Sequence, residues 1–142
     1  MLKNAKAFSG FSVDNLANAK IFYGYTLGLE VRDLGEMGLE IQFASGGSHF
    51  IYPKENHQPA TYTVLNFSVD NIDESVAGLK KRGVTFEHYE IRYQDDHLAV
   101  PETNRTDEDG IMRTTSPEYG PDIAWFKDPA GNILSVIQDK EW

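Results

Sequence analysis

Phe11-Ser12-Val13-Asp14-Asn15-Leu16 recurs, with one conservative change, as Phe67-Ser68-Val69-Asp70-Asn71-Ile72. Each copy stands between an apolar, β-prone run and a helical pattern. A five-residue match at the same kind of boundary, in a chain of 142 residues, marks an internal repeat. A repeat decides the fold before any local signal does. The chain therefore reads as two related modules, about residues 1–57 and 58–142, too small to stand alone and together forming one domain.

The surroundings of the two copies agree. Before the first, residues 5–13 predict a strand. After it, Leu16, Ala19, Phe22 and Tyr23 recur at helical spacing, with Asp14 as the expected N-cap and Gly28 as the stop. Strands follow at about 29–34, 38–44 and 48–53, separated by glycine turns. Around the second copy, 61–69 predicts a strand. Asp70 is the expected cap of a helix carrying Ile72, Val76 and Leu79 on one side, with Lys80, Lys81 and Arg82 at its C-terminal end. Gly83 stops it, and 84–89 predicts a strand. The symmetry then breaks. Residues 90–120 have weak periodicity and many turn formers, among them Asp95-Asp96 and Pro117, and read as a functional insertion, a candidate lid. Asp107-Glu108-Asp109-Gly110 lacks the spacing of a calcium loop and reads as a solvated turn. Strands at 122–127 and 133–138, joined by a tight turn, complete the pattern. Each module is strand, helix, then three strands, an α+β class.

Composition narrows the function. The net charge is −9, which argues against nucleic acid and against an anionic membrane surface. There are no cysteines, so disulfides, thiolate nucleophiles and cysteine zinc sites are excluded. No apolar run is long enough to span a bilayer, and the first residues lead into a strand pattern with no signal-peptide core. A cytoplasmic location is expected.

Three stretches carry a resemblance to a known family: Ser12 through Phe22-Tyr23 to Leu27-Gly28-Leu29, its echo at residues 67–83, and Trp125-Phe126-Lys127-Asp128-Pro129-Ala130-Gly131-Asn132. In this order they resemble the vicinal oxygen chelate superfamily, which includes glyoxalase I, extradiol dioxygenases, methylmalonyl-CoA epimerase and bleomycin-resistance proteins. The resemblance implies two βαβββ modules forming a curled mixed sheet around a cleft. It also implies where metal ligands would stand: Phe8, Val64, Ser135, and either Phe50 or Ile51. None of these is His, Asp or Glu. A divalent ion needs three or four imidazole or carboxylate donors, so neither a metal nor another cofactor is expected.

The expected lining of the cleft is Phe8, Gly10, His49, Ile51, Tyr62, Val64, Asn66, Trp125 and Ser135. Alternation puts Phe8, Gly10 and Ser12 on one strand face, and Tyr62, Val64, Asn66 and Ser68 on the matching face of the repeat. His49 joins them if Ile51 faces inward; Tyr52 does so if Phe50 does. Trp125 is either a stacking platform or core. His57 and His97 fall in loop-like stretches and read as surface residues. No catalytic residue is assigned. The leading reading is a non-metal protein that holds a small, partly apolar ligand, working as a homodimer. Its rivals are a metal-dependent lyase, isomerase or dioxygenase with displaced ligands such as His49, Glu87 or His88, and a scaffold whose cleft is filled by its own side chains.

Overall fold

The computed structural model describes residues 1–92, 103–114 and 120–139. Asp95, Asp96, His97 and Pro117 lie outside the described residues. The chain divides into two compact units. One is Met1–Thr61 together with Asp128–Asn132; the other is Tyr62–Lys127 together with Ile133–Trp142.

The first unit contains β1 (Ser9–Val13), α1 (Leu16–Lys20), β2 (Glu30–Asp33), β3 (Leu39–Gln42) and β4 (Ser48–Pro53). The strand order is β1-β4-β3-β2, with β1 and β4 parallel and the other neighbours antiparallel. The cap of α1 is Asn15, not the expected Asp14: its side chain accepts the Asn18 N–H at 2.9 Å. After Lys20 the helix widens into a π-helical segment, Ile21–Thr26, which ends before Gly28 at φ 71°. Phe11, Val13, Leu39, Ile41 and Ile51 are buried on one side of the sheet, as are Ala19 and Tyr23 of the helical segment. Burial of this stripe removes apolar surface from water and is the main force holding the unit together.

The second unit contains β5 (Thr63–Ser68), α2 (Ile72–Lys81), β6 (Glu90–Arg92), β7 (Thr103–Arg105), β8 (Ile111–Met112), β9 (Asp122–Lys127) and β10 (Ile133–Gln138). Its main sheet runs β5-β10-β9-β8, with β5 and β10 parallel. This is the first unit's order again, so the sequence repeat corresponds to a repeat of topology. The cap of α2 is Asn71, whose side chain accepts from the Glu74 N–H at 3.1 Å, in place of the expected Asp70. Ile72 and Val76 of α2 are buried, as are Phe86, Ala124, Phe126, Leu134 and Val136.

The strand expected at 84–89 does not form as a unit. Phe86 makes an isolated antiparallel bridge to Phe126, and the Glu87 N–H donates to the Trp125 carbonyl at 2.8 Å. The ladder beside β9 then continues with Ile111 opposite Ala124 and Met112 opposite Ile123. The fourth strand of the sheet is thus split. Glu87 and Ile111 take neighbouring places in the ladder, and the described residues 88–92 and 103–110 lie outside it. The hairpin β6–β7 lies in that excursion. Its neck is tight. Gly110 (φ 87°) passes so close that a Cβ there would stand 2.8 Å from the Phe86 Cβ. Asp107 organises the return, its Oδ1 accepting from the N–H groups of Asp109 and Ile111, both at 2.9 Å. Arg113 bridges Asp107 at 3.0 Å to Asp73 of α2 at 2.6 Å.

Candidate functional site

Strand register settles which of the sequence candidates share a face. In the first unit, Gly10 pairs with Phe50, Phe11 with Ile51, and Ser12 with Tyr52. Partners across a ladder point to the same side of the sheet. Gly10, Ser12, Phe50 and Tyr52 therefore form the side away from the core. Phe8, just before β1, is 73% exposed and packs edge-on to Phe50 at 6.4 Å between ring centroids. Phe50 stacks on Tyr52 at 5.7 Å. Gly10 is the gap in this aromatic row, since a Cβ there would stand 2.6 Å from the Phe50 carbonyl oxygen.

His49 and Ile51, expected beside Phe8 and Gly10, are on the opposite, buried side. Of the two readings of β4, the one that turns Phe50 and Tyr52 away from the core applies. The reason is packing. Ile51 is fully buried next to Leu39, and His49 lies against the Phe11 ring at 4.7 Å. The Nδ1 of His49 is 2.7 Å from the Ser9 hydroxyl, while its Nε2 is buried with no partner among the described residues. Burial pushes the His49 pKa down, which holds the ring neutral.

His57, read as a surface residue, is half-buried and bonded on both ring nitrogens. Its Nε2 is 3.0 Å from the Ala130 carbonyl oxygen, and its Nδ1 is 2.7 Å from the Ser12 hydroxyl. A carbonyl only accepts, so Nε2 carries the proton, and in the neutral ring Nδ1 accepts from Ser12. Asn132 of the same turn donates to the Ser12 carbonyl at 2.9 Å. Asp128 accepts from the Tyr23 hydroxyl at 2.7 Å and from Asn132 Nδ2 at 2.9 Å. Burial, followed by the nearby Asp128 carboxylate, pushes the Tyr23 phenol pKa far up, so it stays a donor.

In the second unit three candidates come together. Ser135 of β10 pairs with Asn66 on one flank and with Trp125 on the other. Asn66, Ser135 and Trp125 thus form a row across three strands, on the side away from Leu134, Val136 and Phe126. The Ser135 hydroxyl is fully buried and donates to Asn66 Oδ1 at 2.5 Å. Trp125 is half-buried, its Nε1 donating to the Thr63 hydroxyl at 3.1 Å and its ring meeting Tyr89 edge-on at 5.4 Å. Val64 falls where the β5–β10 register shifts: Ile133 pairs with Thr63 and Leu134 with Leu65. This bulge resets the alternation, so Thr63 rather than Val64 shares the side of Asn66. Tyr62 precedes β5 and is 70% exposed.

Tyr89, Thr63 and His57 were not in the sequence-derived set. Only the bulge and the looped-out segment bring the first two to Trp125, and neither leaves a local signal. Among the described residues, no three His, Asp, Glu or Cys side chains cluster as a metal site would require. Glu87 lies 3.9 Å from Lys127, and the His88 Nδ1 faces the Thr106 hydroxyl at 3.4 Å.

No protein-family profile matches the chain, and no curated protein matches it. Solved structures do. A protein from Bacillus anthracis assigned to the glyoxalase family superposes with a TM-score of 0.59 at 20% identity, covering 99% of this chain and 100% of its own. A glyoxalase/bleomycin resistance protein/dioxygenase from Alicyclobacillus acidocaldarius gives 0.61 at 16% identity, covering 97% and 93%. An antibiotic-binding protein from a Streptomyces species gives 0.60 at 21% identity, covering 96% and 98%.

Proposed function

We propose that this chain, whose fold is that of the glyoxalase/bleomycin-resistance proteins of the vicinal oxygen chelate superfamily, binds a small, partly apolar molecule without a metal ion. The observation that carries the reading is the use made of Ser135. The resemblance gives this position to a metal-binding carboxylate. Here it holds a hydroxyl already engaged with Asn66, beside an aromatic ring. Phe8, Val64, Phe50 and Ile51, at the other donor positions, have no lone pair to offer. The donor set does not fit a divalent ion.

What these strands present instead is aromatic surface with a few placed polar groups, the usual character of a small-molecule site. Holding a ligand needs burial and orientation, not a nucleophile. The antibiotic-binding fold neighbour lends weight to this reading. No helix among the described residues is long and apolar enough to cross a membrane. We take the working form to be a cytoplasmic homodimer, which light scattering tests directly.

The deciding experiment is metal content. Cells supplied with manganese, iron, nickel and zinc are lysed without chelator, and the untagged protein is analysed by mass spectrometry. Much less than one metal per chain, with no thermal stabilisation when metal is added back, is the expected result. A stoichiometry near one would overturn the reading and direct attention to His49, Glu87 and His88.

A further inference from the structure

The first unit holds a hydroxyl, an imidazole and a carbonyl in series. His57 Nδ1 is 2.7 Å from the Ser12 hydroxyl, and His57 Nε2 is 3.0 Å from the Ala130 carbonyl oxygen. The carbonyl fixes the tautomer, so the lone pair of Nδ1 faces the Ser12 proton. A hydroxyl within about 2.6–3.2 Å of a base, with the base oriented by a third group, is the arrangement that activates a serine. Here the third group is a backbone carbonyl in place of a carboxylate.

Each member is held in place. The turn that carries Ala130 is closed by Asp128, which accepts from the N–H groups of Ala130 and Asn132 at 2.9 and 2.8 Å and from the buried Tyr23 hydroxyl. Pro59, two residues after His57, packs on the same turn: a Cβ at Gly131 would stand 3.2 Å from its Cγ. Asn132 donates to the Ser12 carbonyl at 2.9 Å, while the next carbonyl, of Val13, takes the Lys54 N–H on the side of β4. Backbone groups of successive strand residues alternate in direction, so the Ser12 N–H lies with its carbonyl at the outer edge, where β1 has no neighbouring strand in its sheet. That N–H is a donor for negative charge developing on a carbonyl oxygen beside the hydroxyl. Ser12 is half-buried, on the side of the sheet away from the core. Gly10, its neighbour on that side, presents no side chain, and Tyr52, directly across the ladder, is 37% exposed.

We propose that Ser12 and His57 form a catalytic pair that transfers the acyl group of an aryl ester to water. Ser12 Oγ attacks the ester carbonyl carbon as its proton passes to His57 Nδ1. The tetrahedral intermediate collapses by breaking the bond from carbon to the aryl oxygen, and the phenol leaves with the proton from Nδ1. Water then attacks the acyl-serine. One of its protons passes through Nδ1 to Ser12 Oγ, the ester bond breaks, and the carboxylic acid leaves. The exposed Tyr52 ring offers its surface to the aryl group. This activity goes beyond the binding function argued above and does not depend on it.

Two probes read the pair directly. An alkyl fluorophosphonate, located by peptide mass mapping, is expected to label Ser12, with fluoride as the leaving group. Labelling should vanish in Ser12→Ala and slow by about a hundredfold or more in His57→Gln, the usual yield of a general base. With 4-nitrophenyl acetate, a burst of nitrophenolate in proportion to protein, followed by slower turnover, is expected. A third measurement does not rely on the native hydroxyl. The chain has no cysteine, so iodoacetamide reads only the thiol that Ser12→Cys introduces. At pH 6 it is expected to be alkylated about tenfold faster in Ser12→Cys than in the double variant Ser12→Cys/His57→Gln, because the imidazole favours the thiolate.

No adduct on Ser12 in protein with an intact thermal melt would overturn the proposal, as would labelling and hydrolysis that persist in Ser12→Ala. Equal alkylation of the two cysteine-bearing variants would overturn it as well and leave the Ser12–His57 bond as a pin between β1 and the turn. The metal measurement remains the separate test of the non-metal function.

Discussion

The hydroxyl of Tyr23 donates to Asp128 Oδ2 across 2.7 Å, joining the helical segment of the first unit to a turn 105 residues later in the chain. The carboxylate is fully occupied. Its Oδ1 accepts the N–H groups of Ala130 at 2.9 Å and Asn132 at 2.8 Å, and its Oδ2 also takes Asn132 Nδ2. Tyr23, Asp128 and Asn132 are all buried. Polar groups removed from water are tolerated only when satisfied, so the three hold as a set or fail as a set.

Removing the phenol is therefore expected to hurt more than one ordinary hydrogen bond. Tyr23→Phe leaves the carboxylate one donor short and is expected to destabilise the protein by about 1–3 kcal/mol. Asp128→Ala leaves the Tyr23 hydroxyl and the turn's N–H groups without their acceptor and is expected to cost more. Urea denaturation of both variants and of the double variant checks this. The double variant should be less destabilised than the sum of the singles, because the two residues share one interaction.

His49 predicts a pH dependence. Burial holds its folded pKa below the ordinary 6.5, while the unfolded chain titrates at that ordinary value. As pH falls through about 6.5 the unfolded state takes up the proton first. Stability is therefore full above that pH and declines below it until the folded pKa is reached. His49→Leu is expected to flatten this limb between about pH 7 and 5. Asp33, Asp73 and Asp107 have pKa values held below 3.8, so their limb lies at lower pH and should survive the substitution. Thermal melts across the range separate the two.

Gly110 is expected to be intolerant of any side chain. Its φ of 87° already disfavours one, and a Cβ would meet the Phe86 Cβ at 2.8 Å. Gly46 has a similar φ of 80° with nothing within 4 Å. Gly110→Ala should thus cost about 1–2 kcal/mol more than Gly46→Ala, the difference being steric. Matched chemical denaturation curves provide the comparison.

Much of this fold was legible because its signals are local. Residues 122–127 and 133–138 are mainly apolar runs that flank a turn carrying Pro129 and Gly131, and both strands form at those bounds. The repeat correctly implied repeated topology. The caps were misplaced by one residue, because Asp14-Asn15 and Asp70-Asn71 each offer two good capping side chains in succession. The inward face of β4 was ambiguous because Phe50, Ile51 and Tyr52 are apolar in both phases, so periodicity carries no parity there. The bulge at Val64 was invisible because it is a relation between β5 and β10, not a property of either. Asn66, Ser135 and Trp125 were expected as a list of residues, but the bond from Ser135 to Asn66 joins two strands and could not be read from one chain position at a time.

The split fourth strand has a consequence for how this architecture tolerates change. Glu87 and Ile111 occupy successive rungs beside β9, so the ladder keeps its register whatever lies between them. The excursion is a module grafted at a seam. Its length is uncoupled from the ladder, since each doubling of a flexible loop costs only about 0.6 kcal/mol of closure entropy. Such a seam lets a lineage exchange the segment that contributes Tyr89 to the Trp125 surface while the strands carrying Asn66 and Ser135 stay unaltered. Changes in what packs on Trp125 can then accumulate in one replaceable segment, provided the neck at Gly110 is kept.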